Sequence, residues 1–323
     1  MLPSVLTALF PLLLGVQADP ILPETQIREW VRTFAPIVIH DSRENAPLTS
    51  IEATLALRPE LQGTCPDGIR RKLEVSAPDF MQEPQVQDLI GQCSQELAIH
   101  FQRKIPKPEA IAYYSVLSEG LYLKIQYWLY YAWNDAGQLG GGVVQQCAQH
   151  EGDWEHVAFR LNRARLVQAR TSQEQLAAID DIYLAQHHRN QHPERKFFRP
   201  TDPRLRFEGT QLQVFPAVGS HATYHAPGRY PLMTLAGMQI ADVNDGLGLR
   251  LDLADGRLEA IVNQPWFRFP GRWGAVVHDV CDALEAVSSA SNDGSFGPGH
   301  AHKVQDLYAG DWHDQFRPLL ASH

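Results

Sequence analysis

The stretch "HEGDWEHVAFRL", His150 to Leu161, sets His150, Glu151, Asp153 and Glu155 directly ahead of an apolar run. Side chains two apart on a strand share a face, so Asp153 and Glu155 stand in line with Val157, Phe159 and Leu161. Moving carboxylates out of water onto a core-facing edge is costly unless a cation or a full set of donors compensates. We therefore expect something to be bound there.

Further polar residues fall at the ends of other strand-like segments. "GLYLKIQYWLYYAWND" alternates Leu121, Leu123, Ile125, Tyr127, Leu129, Tyr131 and Trp133 with a more polar set and stops at Asn134 and Asp135. "IYLAQHH" leads into Gln186, His187 and His188, and "VFPAVGSHATY" into Ser220 and His221. If these strands are neighbours, the residues converge at one rim. Strict alternation puts His150 on the face opposite Asp153, but Gly152 between them is a place where a bulge re-aims the chain.

Carboxylates mixed with imidazoles suit Mg, Ca or Mn where the carboxylates dominate, and Zn or Fe where the histidines do. We take Asp135, His150, Asp153 and Glu155 as the candidate metal ligands. A helical HExxH site is excluded, because Gly152 follows Glu151 and no second histidine stands at the required spacing. Bland readings run beside these. Asp135 after Asn134 is also a turn pair, Glu155 and His156 can face solvent near Arg160, and His188, His192, His300 and His302 default to hydrogen-bonded or surface residues. Ser220 beside His221 does not form a nucleophile elbow.

The chain of 323 residues is 44% hydrophobic and 20% charged, the profile of a soluble globular protein with a sizeable core. A net charge of -9 argues against a nucleic-acid-binding face. Residues 1–18, "MLPSVLTALFPLLLGVQA", are too short and Pro-interrupted for a membrane span, and Val16 and Ala18 fit a cleavage rule before Asp19. They read as a signal peptide without a basic n-region, which implies a secreted or periplasmic protein. Export makes Cys65, Cys93, Cys147 and Cys281 candidates for two disulfides. We expect Cys65 with Cys93 and Cys147 with Cys281, although three connectivities are open and four buried thiols are the alternative.

"PETQIREWVRTF" shows helical spacing behind Thr25 as N-cap, "APIVIH" reads as a strand, and "LTSIEATLAL" as a second short helix. Residues 60–108 read as loop with scattered short elements. "LRLDLADGRLEAIV" carries an Asp-Gly turn signal at Asp255 and Gly256, and "GAVVHDVCDALEAVSSA" a late helix. No repeat or linker divides residues 19–323, so the expected architecture is mainly β: one antiparallel β-sandwich domain with a few peripheral helices.

"FAPIVIHDSRENAPLTSIEATL", "IQYWLYYAWND", "HEGDWEHVAFRL", "IYLAQHH", "VFPAVGSHATY", "RWG" and "GSFGPGH" resemble, in the same order, the vacuolar protein sorting-associated protein 62 family, which has no well-established biochemical activity. "HEGDWE" is also similar to the central heptapeptide of the necrosis- and ethylene-inducing toxins, secreted β-sandwiches that hold a divalent cation and bind sphingolipid sugar headgroups. That likeness implies a metal at Asp135, His150, Asp153 and Glu155, and points to His187. The chain departs from the toxins in having Gly152 in place of a second histidine and in lacking their phenylalanine-proline-lysine segment.

The leading expectation is an exported protein in which a divalent cation, with Trp128, Trp133 and Tyr224 as candidate aromatic surface, recognises a sugar or lipid headgroup, with a membrane surface as a further candidate partner. The alternatives are a metal-dependent hydrolase of a phosphoester, glycan or peptide, with His187 or His221 as acid or base, and a purely structural cation.

Overall fold

The computed structural model describes residues 22–135, 149–186, 196–235, 238–275, 295, 297 and 298. The presumed leader, Cys147, Cys281, His187, His188, His192, His300, His302 and most of the late helix lie outside the described residues.

In chain order, helix α1 (Glu24–Thr33) precedes β1 (Ile37–Ile39) and helix α2 (Ile51–Leu55). Next come β2 (Glu60–Thr64), β3 (Arg70–Glu74), helix α3 (Pro84–Gln92) and β4 (Gln95–His100). The long strands β5 (Ile111–Glu119), β6 (Tyr122–Asn134) and β7 (His150–Asn162) follow, then helices α4 (Arg163–Gln168) and α5 (Ser172–Ala177), β8 (Ile179–Leu184) and β9 (Phe197–Phe198). The remainder is β10 (Phe207–Glu208), β11 (Gln211–Pro216), β12 (Thr223–Tyr224), β13 (Gly228–Leu235), β14 (Met238–Asn244), β15 (Arg250–Asp252), β16 (Arg257–Ala260) and β17 (Arg272–Trp273).

A six-stranded sheet ordered β16-β5-β6-β7-β8-β9 is the central layer. One face packs Tyr113, Trp128, Tyr130 and Trp154 against Leu61, Leu97, Ile99 and Trp273 of a four-stranded sheet ordered β17-β4-β2-β3. The other face packs Leu123, Ile125, Tyr127, Leu129, Val157 and Phe159 against Val38, Leu212 and Val214 of the β10-β11-β1-β15 sheet, with Trp30 and Val31 of α1 closing the edge. The mainly β, sandwich-like architecture is as expected. Its central strands are buried on both faces, so the supposedly more polar half of β6 is interior as well, the pattern of a strand covered on both sides.

Three details differ from the sequence reading. Pairing is mixed rather than purely antiparallel, since β1 with β11, β16 with β5 and β17 with β4 run parallel. Parallel neighbours need long crossovers, which a strand pattern does not announce. Residues 60–108, expected as loop with scattered short elements, are more regular, with three strands, a helix and a short 3-10 turn at Phe80–Gln82. Their apolar signal is weak because β3, "RRKLE", is a largely exposed edge strand, charged as such edges commonly are. The Asp255–Gly256 turn joins two different sheets, β15 pairing with β1 and β16 with β5, so it is not a hairpin.

Some local details were not expected and others agree. Ser50 caps α2 by accepting from the Ala53 N–H, while Pro23, not Thr25, takes the N-cap position of α1. Cys65, at the end of β2, is disulfide-bonded to Cys93 at the C-terminus of α3. Among the described residues no helix is long and apolar enough to cross a membrane.

Candidate functional site

The end of the β6–β7 ladder decides where the polar residues go. Tyr131 stands opposite Asp153, Trp133 opposite Glu151 and Asn134 opposite His150 in unbroken register. No extra residue is inserted. The change of face comes from Gly152, whose backbone is left-handed at φ +62°, a conformation open to glycine without the Cβ penalty. A Cβ on Gly152 would stand 1.6 Å from the Trp273 carbonyl oxygen, so β17 approaches where only a bare backbone fits.

Across this turn Glu151 leaves the face of Asp153 and enters the other layer. Its buried carboxylate accepts from the Phe101 N–H and the Arg103 N–H, each at 2.8 Å, and pairs with His100 Nδ1 at 2.9 Å. Burial pushes the Glu151 carboxyl up, but the His100 and backbone donors outweigh it and hold the group below its ordinary value. Trp133 follows Glu151 to this side and carries the Arg103 guanidinium over its ring at 4.9 Å. By alternation His150 then returns to the side of Asp153, and its ladder partner Asn134 donates from Nδ2 to Asp153 Oδ2 at 3.1 Å. The change of face is made by a left-handed glycine, not a bulge, and His150 Nδ1 lies 3.3 Å from the Glu151 carbonyl oxygen.

Facing Asp153 is His221, from the loop between β11 and β12. That loop is pinned internally, the His221 N–H donating to Ala217 O and the Ala217 N–H to Ala222 O, each at 2.9 Å. Asp242 of β14 accepts from Ser220 Oγ at 2.8 Å and from the Tyr224 hydroxyl at 2.7 Å. His221 itself is left-handed at φ +55°, a strained setting for a residue with a Cβ. Its ring is fully buried and stacked on Tyr131, with centroids 3.9 Å apart.

The imidazole of His221 lies between two carboxylates. Nδ1 is 3.1 Å from Asp153 Oδ2, and Nε2 is 3.6 Å from Glu44 Oε2. The second distance is that of an ion pair rather than a hydrogen bond. Burial alone would lower the basicity of His221, but the charges of Glu44 and Asp153 prevail and raise its pKa to about 10. Burial likewise opposes ionisation of Glu44, yet His221 and the N–H groups of Gly219 and Ala46 lower its pKa to about 2. At neutral pH the group is an imidazolium held by two carboxylates.

Glu44 sits on the loop after β1, a loop fastened at several points. Asp41 takes a salt bridge from Arg43 and the Asp245 N–H, and Asp245 accepts from the Ser42 N–H at 2.9 Å. His40 spans the same region, its Nδ1 3.0 Å from Leu249 O while its Nε2 accepts from the Leu48 N–H at 3.2 Å. Those two bonds require neutral imidazole with the proton on Nδ1. Burial lowers its pKa to about 4.

Of the candidates read from the sequence, Asp153 and His221 are brought together directly. Asp135, half-buried just past the ladder, accepts from Asn45 Nδ2 at 3.2 Å. Glu155 lies half-buried one step deeper on the Asp153 face, opposite Leu129. These donor types suit a hard divalent cation, although among the described residues no three His, Cys, Asp or Glu side chains converge to hold one. Of the aromatic candidates, Trp128 is core and Tyr224 is buried against Tyr230, so only the half-buried Trp133 retains surface. Glu44, Tyr131 and Asn134 were not singled out from sequence. Glu44, the second acid in "HDSREN", carries no spacing that ties it to His221.

No protein-family profile matches the chain, and no curated protein matches it. The resemblance to the vacuolar protein sorting-associated protein 62 family thus finds no support. Two solved structures show a loose likeness. One, described as a toxin fold for microbial attack and plant defense, is 12% identical, with 71% of this chain and 72% of that chain covered and a TM-score of 0.32. The other, the crystal structure of non-toxic HaNLP3 protein, is 12% identical, with 72% and 75% covered and a TM-score of 0.33. A likeness this loose carries no functional argument.

Proposed function

We propose that the chain is an exported protein in which Asp135, His150, Asp153 and Glu155 hold a divalent cation that recognises hydroxyl or phosphate oxygens of a sugar or lipid headgroup. The observation that supports this reading is the left-handed backbone at Gly152, from which strand alternation puts His150 on the side of Asp153 at the end of the ladder. Carboxylates dominate the donor set, which favours Mg, Ca or Mn over Zn. Export is supported by the apolar stretch 1–18 and by the Cys65–Cys93 disulfide.

A hydrolase is the weaker alternative. A fully buried imidazolium with a pKa near 10 is a poor general base at neutral pH, and His187 lies outside the described residues. A structural role for the cluster is favoured by one observation, that Asp153 Oδ2 already accepts from both Asn134 and His221.

The test is elemental mass spectrometry on protein beginning at Asp19, beside melting curves with and without chelator. A ligand at a hundred times its dissociation constant adds about 2.7 kcal/mol, which a melt detects. One divalent ion per chain, lost in Asp153→Asn, supports the proposal. Absence of metal together with an unchanged melt in chelator leaves the structural reading.

A further inference from the structure

The segment 101–107, "FQRKIPK", places Arg103, Lys104 and Lys107 within five positions of a chain whose net charge is -9. It is held at both ends. Phe101 and Arg103 donate their N–H groups to Glu151, and the Lys107 carbonyl accepts from Thr49 Oγ1 at 2.9 Å. Gln102 and Arg103 are both left-handed, at φ +56° and +55°, and the side chains of residues 102–105 and 107 are exposed. A fastened loop therefore presents its cations outward.

Among the described residues Arg103, Lys104 and Lys107 take part in no ion pair, and Lys104 Nζ donates only to the Leu57 carbonyl. On the neighbouring four-stranded sheet, by contrast, Arg70 pairs with Glu96 and Lys72 with Glu60. Apolar surface accompanies the cations. Ile105 is 42% exposed, and the Arg103 guanidinium lies over the half-buried Trp133, an amphipathic ring of the kind that settles at a membrane interface.

We propose that this patch, with Ile105 and Trp133 as its apolar part, seats the protein on an anionic phospholipid surface. An acidic protein is drawn to such a surface most strongly where its cations cluster, so the charge distribution sets the orientation as well as the attraction. Trp133 adjoins Asn134 and Asp135, so docking through the patch brings the rim toward the headgroups. Each basic residue near an anionic leaflet adds about 1 kcal/mol, roughly fivefold in partition, so removing all three lowers it roughly a hundredfold.

The experiment is sedimentation of the full chain with vesicles of phosphatidylcholine alone and of phosphatidylcholine mixed with phosphatidylserine, at rising salt and with and without chelator. Expected is binding to the mixed vesicles only, weakened by salt and retained in chelator. It should fall roughly a hundredfold when Arg103, Lys104 and Lys107 are all changed to Gln, and far less when Arg71, Arg229 and Arg268, exposed cations that are not neighbours in sequence, are so changed. Equal binding to neutral vesicles, no binding to either, or equal effects of the two triple variants overturns the proposal. So does capture of inorganic polyphosphate without vesicle binding, which gives the patch to a soluble anion. Retention in chelator separates this patch from the rim, because a failed metal assay then leaves the vesicle result standing. If the triple variant does not fold, the salt dependence of the unaltered chain decides.

Discussion

The His221 ring lies flat on Tyr131, its plane within 4° of parallel and its centroid 3.9 Å away. Tyr131 is also the ladder partner of Asp153, so one aromatic ring supports the imidazolium while the strand beside it supplies the counter-charge. The hydroxyl of Tyr131 is pushed well above its ordinary pKa by burial and by Glu155, Glu44 and Asp153, which keeps the ring neutral beneath the cation. The two sheets are thus joined at this end by a charged, stacked contact rather than by aliphatic packing.

His221→Ala removes the cation between two buried carboxylates. Breaking such a pair by deleting one partner costs about 3–5 kcal/mol, because the remaining charges stay buried and uncompensated. Urea unfolding of the variant should show a loss in that range. A loss below about 1 kcal/mol, the worth of an exposed pair, would mean that Glu44 and Asp153 reach solvent or another cation.

The pKa values of His40 and His221 should be shifted in opposite directions. The folded pKa of His221, about 10, lies above its ordinary 6.5, so its stabilisation is complete below 6.5 and is lost as pH rises toward 10. Glu44, lowered to about 2 from 4.5, stabilises above 4.5 and loses its contribution as pH falls toward 2. His40, lowered to about 4 by burial, costs stability as pH falls from 6.5 to 4, since the unfolded chain takes up its proton first. Imidazole NMR shifts followed with pH would check both histidines. Glu44→Gln should bring the His221 midpoint down and leave the sign of the His40 shift unchanged.

Much of this was legible locally. The long periodic strands, the second short helix and the anomaly of Asp153 on a core face could each be read from a few neighbouring residues, while the Cys65–Cys93 pairing was one of three open connectivities. What escaped depends on contacts between distant segments. Glu44 joins the site only because β1 pairs with β11 in the sheet that supplies the His221 loop. The second covered face of β6 looked polar because Lys124 and Gln126 interrupt it. The exchange of faces at Gly152 follows from a φ value and from the approach of Trp273, and no hydrophobic period records either.

Reduction of the Cys65–Cys93 disulfide should destabilise the β2–α3 region in particular. The bridge closes a sequence separation of 28 residues, for which chain entropy gives about 3–4 kcal/mol. Cys65→Ala with Cys93→Ala should lower stability by that order and, in hydrogen exchange, loosen β2–β4 more than β6 and β7. Uniform loosening across all strands would show that the four-stranded sheet unfolds only with the central one.

Gly152→Ala tests the geometry on which the candidate site depends. The new methyl group would meet a backbone carbonyl, and φ +62° is strained for alanine, so β17 must retreat or the strand must straighten. Strain of this kind costs about 1–3 kcal/mol before the clash is counted, and the Trp273 carbonyl is not the end of a flexible side chain that can swing aside. Straightening would restore strict alternation, sending Glu151 toward the Asp153 face and His150 away from it. The expected outcome is a folded but weakened protein in which Glu151 has left the Phe101 and Arg103 N–H groups, read as faster hydrogen exchange at those two amides. Unchanged protection there would mean that β17 gives way instead, and loss of the Trp273 N–H to Ser295 O bond would then appear as faster exchange at the Trp273 amide.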